Sequence, residues 1–345
     1  MNYSKIILLG ISSCLMFPAL AQKRPLNHND YDGWQHISNL QISPTGNFIS
    51  YNTDPQEGDS KLVIKDKAKS GEKVIARAYN AQLSSKEDFL IASIKAPFLD
   101  SRKAKIKKVK AEDMPKDSLL VYALQMDKSY SFANVTSWQL AQQGNAYVAF
   151  LSDINAKVDS AKDSKDAPQG KSNSKQLSVL HLLHLATGDT LQFPNVDSYA
   201  WSPNEQFLVY AKKNNDKDSL AQDAGVYLYD VNLKSSKKIS HGKAVYKSFT
   251  FDDQSAQLSF LADKTSEKAL QKTSNLYHYT ANQDTARLMV SKSTAGIPNK
   301  WQPSGDGKIF YSATGSTLYF GIAPIPKVRD TSLVDFEHAQ VDVWH

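Results

Sequence analysis

Cysteine is almost missing from this chain. The one thiol among 345 residues, Cys14, sits in an N-terminal stretch that reads as a leader. Cleavage after Ala21 would leave no cysteine, so disulfides are excluded as a source of stability and packing must supply it. Glycine is sparse too: of 15 glycines, none is followed by another four positions later. A G-x-S-x-G nucleophile elbow needs that spacing, because its strained turn tolerates little else. The helix–strand alternation of an α/β-hydrolase domain is also missing. No catalytic, cofactor-binding or metal-binding residue is therefore assigned, and no cofactor is expected. Charge of one sign is not abundant either, with 41 Lys and Arg against 35 Asp and Glu. That mild, dispersed excess does not by itself imply nucleic acid.

The only long apolar run is at the N-terminus. Lys5 supplies a positive start, Ile6 to Phe17 an apolar core, and Ala19 to Ala21 a small-residue cleavage site. Residues 1–21 thus read as an export signal, with 22–345 as the mature chain in the periplasm or cell envelope. Pro18 breaks the run before it is long enough to span a bilayer. The "ISSC" ending at Cys14 loosely resembles a lipoprotein box, which would make Cys14 a lipidated N-terminus. The apolar residues after it favour ordinary cleavage. Loss of Lys5 lowers the formal charge from +6 to +5.

What the chain does contain is a repeat. A polar turn running into an apolar stretch occurs at Ile42–Tyr51, Leu83–Ser93, Leu140–Leu151, Trp201–Ala211, Phe251–Ala262 and Trp301–Ala313. The spacing is roughly 40 to 60 residues, that of propeller blades. Further apolar stretches with polar turns follow each, as in Lys61–Ala76, Leu177–Phe193, Gly225–Ser240 and Asn275–Val290. Each unit reads as an antiparallel sheet of three to four strands.

The stretch "FLVYA" (Phe207 to Ala211) has no polar partner between its apolar residues. Such a strand needs cover on both faces. Blades stacked face to face around an axis provide it. A β-sandwich, the alternative, covers one face and would alternate. The expected fold is therefore all-β: a β-propeller of about six blades, either a closed ring or an incomplete one. Two insertions interrupt it, a charged one at 100–118 and one at 153–175 that is low in apolar content and reads as disordered. Both are expected between the apolar strand after the turn and the next strand.

Other constellations carry little chemistry. Arg102, Lys103, Lys105, Lys107, Lys108 and Lys110 could meet phosphate or an acidic surface. Glu112 and Asp113 follow at once and no aromatic interleaves for base stacking, which favours a solvated loop. His181 and His184 point to opposite faces if they share a strand, so they cannot chelate one ion. The acidic stretch from Asp153 has Lys157 where an EF-hand needs an oxygen ligand. Gly170-Lys171-Ser172 ends like a phosphate loop, but Lys165 stands where the first glycine belongs.

Lys23 to Asp66 resembles the start of large exported peptidases of the prolyl oligopeptidase family, of the kind found in Bacteroidetes. Lys103 to Leu119 resembles their charged insertion, and Val341 to His345 a strand that continues into further propeller sequence. The resemblance implies a β-propeller that limits which peptides reach a C-terminal α/β-hydrolase domain with a Ser-Asp-His triad. That domain would lie beyond His345, so no catalytic position carries over and this chain alone is expected to be inactive. An unfinished ring would leave apolar blade faces in water, so self-association is expected.

Three functions follow as expectations. The first is the non-catalytic, substrate-gating propeller of an exported serine peptidase. The second is a stand-alone six-bladed propeller that binds a protein or glycan in the envelope. The third, an enzyme site on the axial face, needs a nucleophile, a base and an oxyanion site together, and no spacing in the sequence proposes them.

Overall fold

The computed structural model describes residues 26–31, 33–156, 175–213, 223–266 and 269–328. After a short helix, α1 (His28–Tyr31), the chain makes five four-stranded antiparallel blades in sequence order. Blade I is β1 (Gln35–Ile42), β2 (Phe48–Pro55), β3 (Lys61–Asp66) and β4 (Glu72–Ala76). Blade II is β5 (Ala78–Leu83), β6 (Phe89–Ile94), β7 (Ser118–Ala123) and β8 (Lys128–Phe132). Blade III is β9 (Val135–Leu140), β10 (Tyr147–Ala156), β11 (Lys175–His184) and β12 (Thr190–Pro194). Blade IV is β13 (Val196–Trp201), β14 (Phe207–Lys212), β15 (Gly225–Asp230) and β16 (Ser235–His241). Blade V is β17 (Val245–Phe251), β18 (Gln257–Asp263), β19 (Asn275–Thr280) and β20 (Arg287–Val290). The first strands line up around an axis, β13 against β9 and β17.

The unbroken apolar strands are covered on both sides. On β14, Leu208 and Tyr210 enter the core between blades III and IV, while Val209 and Ala211 enter the core between IV and V. On β6, Leu90 and Ala92 face blade I, and Phe89 and Ile91 face blade III. Likewise β10 sends Ala149 and Leu151 one way and Val148 and Phe150 the other. The architecture is a β-propeller.

The turn before each apolar strand recurs in atomic detail. Its fourth residue donates its N–H to the carbonyl of the first: Gly46 to Ser43, Glu87 to Ser84, Gly144 to Ala141, Glu205 to Ser202, Ser255 to Asp252 and Gly315 to Ser312. The side chain of the first residue also accepts the N–H two positions further on. Ser43 takes that of Phe48, Ser84 that of Phe89, Ser202 that of Phe207, and Asp252 that of Gln257. The fourth residue adopts a left-handed φ of 70° at Gly46, 59° at Glu87 and 63° at Glu205. Glycine reaches that region without a Cβ penalty, whereas the two glutamates are held there by the bonds around them.

The structure corrects three expectations. The sixth turn is Ser312–Thr317, not the stretch after Trp301. There, β22 (Phe310–Tyr311) pairs with β23 (Leu318–Tyr319), while β21 (Trp301–Ser304) pairs with β24 (Gly321–Pro324). Gln302 stands where this turn uses Ser or Asp; Ser312 supplies the hydroxyl and Gly315 the left-handed residue, at φ 72°. The sixth unit is thus two two-stranded ladders rather than a four-stranded blade.

Second, a further strand precedes every turn in blades I to V, so the insertions follow the second strand of their blades. Third, the charged insertion is not a loop throughout. It holds helix α2 (Phe98–Ile106) and a 3-10 turn at Ala111–Asp113. Asp153 and Lys175 at the ends of the other insertion belong to β10 and β11, and residues 157–174 lie outside the described residues. The expected export signal at residues 1–21, Lys157, Lys165, Gly170-Lys171-Ser172 and the terminal Val341–His345 also lie outside them.

Among the described residues, blade I contributes to an apolar core on one face only. Phe48, Leu62 and Ile64 join the core with blade II. The register places Ile42 beside Ile49 and Val63 beside Val74 on the other face. On that face Val63 is buried, while Ile37, Ile42, Ile49 and Val74 are exposed, Ile42 at 66 %. Blade V and the sixth unit share a small core around Leu261, Leu276 and Ile309. Among the described residues no apolar core joins the sixth unit to blade I.

Candidate functional site

The surface with most capacity for recognition is the axial one. Each first strand carries a β-bulge, for example between Ser38 and Gln41, Tyr79 and Gln82, and Lys247 and Thr250. Asn39, Asn80 and Ser248 in these bulges have left-handed φ values of 50°, 48° and 57°. A bulge breaks the strict alternation and re-aims side chains. Where β5, β9 and β13 meet their turns, a cleft of about 320 Å³ opens, lined by Asn80, Gln82, Trp138, Gln139, Gln142 and Trp201 among others.

The cleft has a definite chemistry. Both indole N–H groups are already used: Trp138 donates to the Ser93 hydroxyl at 2.8 Å and Trp201 to the Gln139 carbonyl at 3.2 Å. Both rings are thereby fixed; Trp201 is buried in the core between blades III and IV, and Trp138 is only partly buried and leaves part of its ring for contact. The amides of Asn80, Gln82, Gln139 and Gln142 both donate and accept, as a peptide backbone or a sugar hydroxyl requires. Among the described residues no ionisable side chain lines this cleft. It is suited to holding a neutral polar chain rather than to moving a proton. A second cleft of about 330 Å³, between blades IV and V, is more apolar, with Phe207, Leu228, Phe251 and Tyr279 in its wall.

The turns next to the axial cleft form a continuous belt. Thr45 donates its N–H and hydroxyl to Glu87, at 3.0 and 2.5 Å, which holds that carboxyl below its ordinary range. The Ser85 N–H reaches the Gly144 carbonyl at 3.1 Å, and the Gln143 N–H the Pro203 carbonyl at 2.9 Å. Asn204 N–H meets the Ser255 hydroxyl at 3.3 Å, and Gln257 donates to the Gly315 carbonyl at 2.9 Å. All six turns are linked in this way, each to the next. The belt fixes one rim of the axial opening.

The two histidines lie on opposite sides of β11, as their spacing requires. His181 stacks on Phe150 at 4.7 Å and its Nε2 meets the Ser152 hydroxyl at 2.8 Å. Ser152 is buried, so the pair does not present a nucleophile to solvent, and burial lowers the His181 pKa from its ordinary value. His184 packs edge-on against Tyr147 on the other side and accepts the Thr187 N–H at its Nδ1. Among the described residues no group of three or more His, Cys, Asp or Glu side chains is placed to hold a metal ion. The basic residues Arg102, Lys103 and Lys105 lie on α2, with Lys107, Lys108 and Lys110 just beyond it. The axial amides went unnoticed in the sequence because they sit on mixed polar strands with no motif.

No protein-family model and no curated protein sequence matches the chain. Among solved structures it is similar to acylaminoacyl peptidase in complex with Z-Gly-Gly-Phe-chloromethyl ketone, at 10% identity and a TM-score of 0.45, over 85% of this chain and 44% of that one. It is similar to the β-propeller domain of the Trilobed protease from Pyrococcus furiosus at 11% identity and a TM-score of 0.44, over 86% of each chain. Tricorn protease matches at 11% identity and 0.42, over 79% of this chain and 26% of that one. The chain therefore spans under half the length of acylaminoacyl peptidase and about a quarter of tricorn protease.

Proposed function

We propose that this chain is the non-catalytic, substrate-gating propeller of an exported serine peptidase of the prolyl oligopeptidase type, acting with a C-terminal α/β-hydrolase domain. The observation that carries the reading is the row of exposed aliphatic side chains, Ile37, Ile42, Ile49 and Val74, that blade I presents among the described residues. A row of aliphatic side chains facing water is unfavourable, and a further propeller unit in a larger protein would bury it. The axial cleft agrees with it: the partly exposed Trp138 ring and the amides beside it can hold an extended peptide without cutting it. The leader-like N-terminus and the family resemblance of Lys23–Asp66 add the export and the peptidase.

Translation of the DNA downstream of His345 tests this. A hydrolase sequence with a G-x-S-x-G elbow, in frame or just out of it, supports the reading; an intergenic gap without such a remnant refutes it. A second reading, a stand-alone envelope propeller that binds a glycan, is favoured by the partly exposed Trp138 beside four amides. Isothermal titration with neutral oligosaccharides and with peptides separates the two, since a gating propeller has no reason to prefer the sugar.

A further inference from the structure

We propose that helix α2 is a docking surface for an anionic phospholipid bilayer. It projects between β6 and β7, at the end of the propeller away from the belt of turns, and none of its residues is buried. Phe98, Ser101 and Ala104 are half-buried on its inner side. The outer side carries Leu99 and Ile106, 62 % and 68 % exposed. Seven residues make two helical turns, so these two aliphatic side chains stand one above the other. Arg102, which pairs with Glu57 of blade I at 3.9 Å, and Lys103 flank them, and Lys105, Lys107 and Lys108 extend the positive field, with Asp100 as the one opposing charge on the helix itself.

This is the reverse of an ordinary surface helix, which turns its large aliphatic side chains inward and its small ones outward. A nine-residue helix with so little packing is marginal in water, so a partner that covers the outer side would stabilise it. Helix propensity of Leu99, Ala104 and the lysines accounts for part of its formation, as does the match of Lys103 and Lys105 to the helix C-terminus. Neither explains the outward Leu99 and Ile106. Two exposed aliphatic side chains among long cationic ones match the headgroup boundary of an anionic bilayer, where the aliphatic groups enter and the cations reach phosphate. Phe98, the only aromatic on α2, is turned inward, which disfavours base stacking on nucleic acid. The inference stands independently of the peptidase reading.

The test is flotation of the full chain with phosphatidylglycerol-containing vesicles and with phosphatidylcholine vesicles. The apolar N-terminal segment contributes to both and to every variant, so the difference reports α2. Wild type is expected to prefer the anionic vesicles at least tenfold, with the preference falling as salt rises. Lys103→Glu with Lys105→Glu and Lys107→Glu is expected to abolish the preference at an unchanged thermal midpoint. The corresponding Gln set gives the same readout if the Glu set fails to fold. Leu99→Ser with Ile106→Ser is expected to weaken binding and leave the salt dependence. Equal partition of wild type, a preference that survives charge removal, or retention only on an acidic peptide or a nucleic acid would overturn the proposal.

Discussion

Glu205, in the turn of blade IV, accepts the backbone N–H of Tyr147 in blade III at 2.8 Å. The same carboxylate takes the N–H groups of Asn145 and Ala146. The reason lies one blade back. Blade III has Ala141 where other turns have Ser or Asp, so its turn has no side chain of its own to cap these donors. The neighbour supplies the cap, and two blades become one hydrogen-bonded unit.

Glu205→Ala should therefore destabilise the chain by about 2 kcal/mol, because a charged acceptor leaves backbone donors behind. Gly144→Ala should cost about 1–3 kcal/mol, since its Cβ would lie 2.7 Å from Glu205 Oε1 and 2.8 Å from the Ala141 Cβ. Urea unfolding of each variant measures both.

Blade I should respond unequally on its two sides. Phe48→Ala opens the core with blade II and should cost about 3–5 kcal/mol. Ile49→Ala, its neighbour on the open side, should change stability by less than about 0.5 kcal/mol. The open side should instead govern association: Ile42→Lys with Ile49→Lys is expected to lower the sedimentation coefficient of a self-associating chain to that of a monomer. A wild type that sediments as a single monomeric species at all concentrations would contradict this.

Stability should also depend on pH near neutrality. Burial holds the His181 imidazole below its ordinary value of 6.5, so the unfolded chain takes up a proton that the folded chain resists. The contribution is complete above 6.5 and is lost as the pH falls beneath it, until the folded imidazole protonates too. His181→Gln should flatten the plot of unfolding free energy against pH in that window. Burial lowers His278 likewise, against the opposing effect of Asp252, so a residual slope should remain in the single variant.

Much of this fold was legible in the sequence wherever burial wrote an unbroken apolar run. Phe207 to Ala211 announced its two covered faces, and Ser43, Ser84 and Ser202 marked their turns. The first strands were not legible. They face the axis, their bulges at Asn39, Asn80 and Ser248 interrupt the alternation, and β1 is exposed along almost its whole length. Trp301-Gln302-Pro303 imitated Trp201-Ser202-Pro203 and drew attention from the true turn at Ser312. The axial cleft was hidden for a related reason, because amides gathered from three blades share no sequence spacing.

Two-sided burial of the middle strands is tested most directly at Leu90 and Ile91. They are adjacent on β6 and both fully buried, Leu90 against blade I and Ile91 against blade III. Leu90→Ala and Ile91→Ala, unfolded separately in urea, should each cost about 2–5 kcal/mol. If either substitution costs less than about 0.5 kcal/mol, that side of the strand faces solvent and the blades do not stack as described.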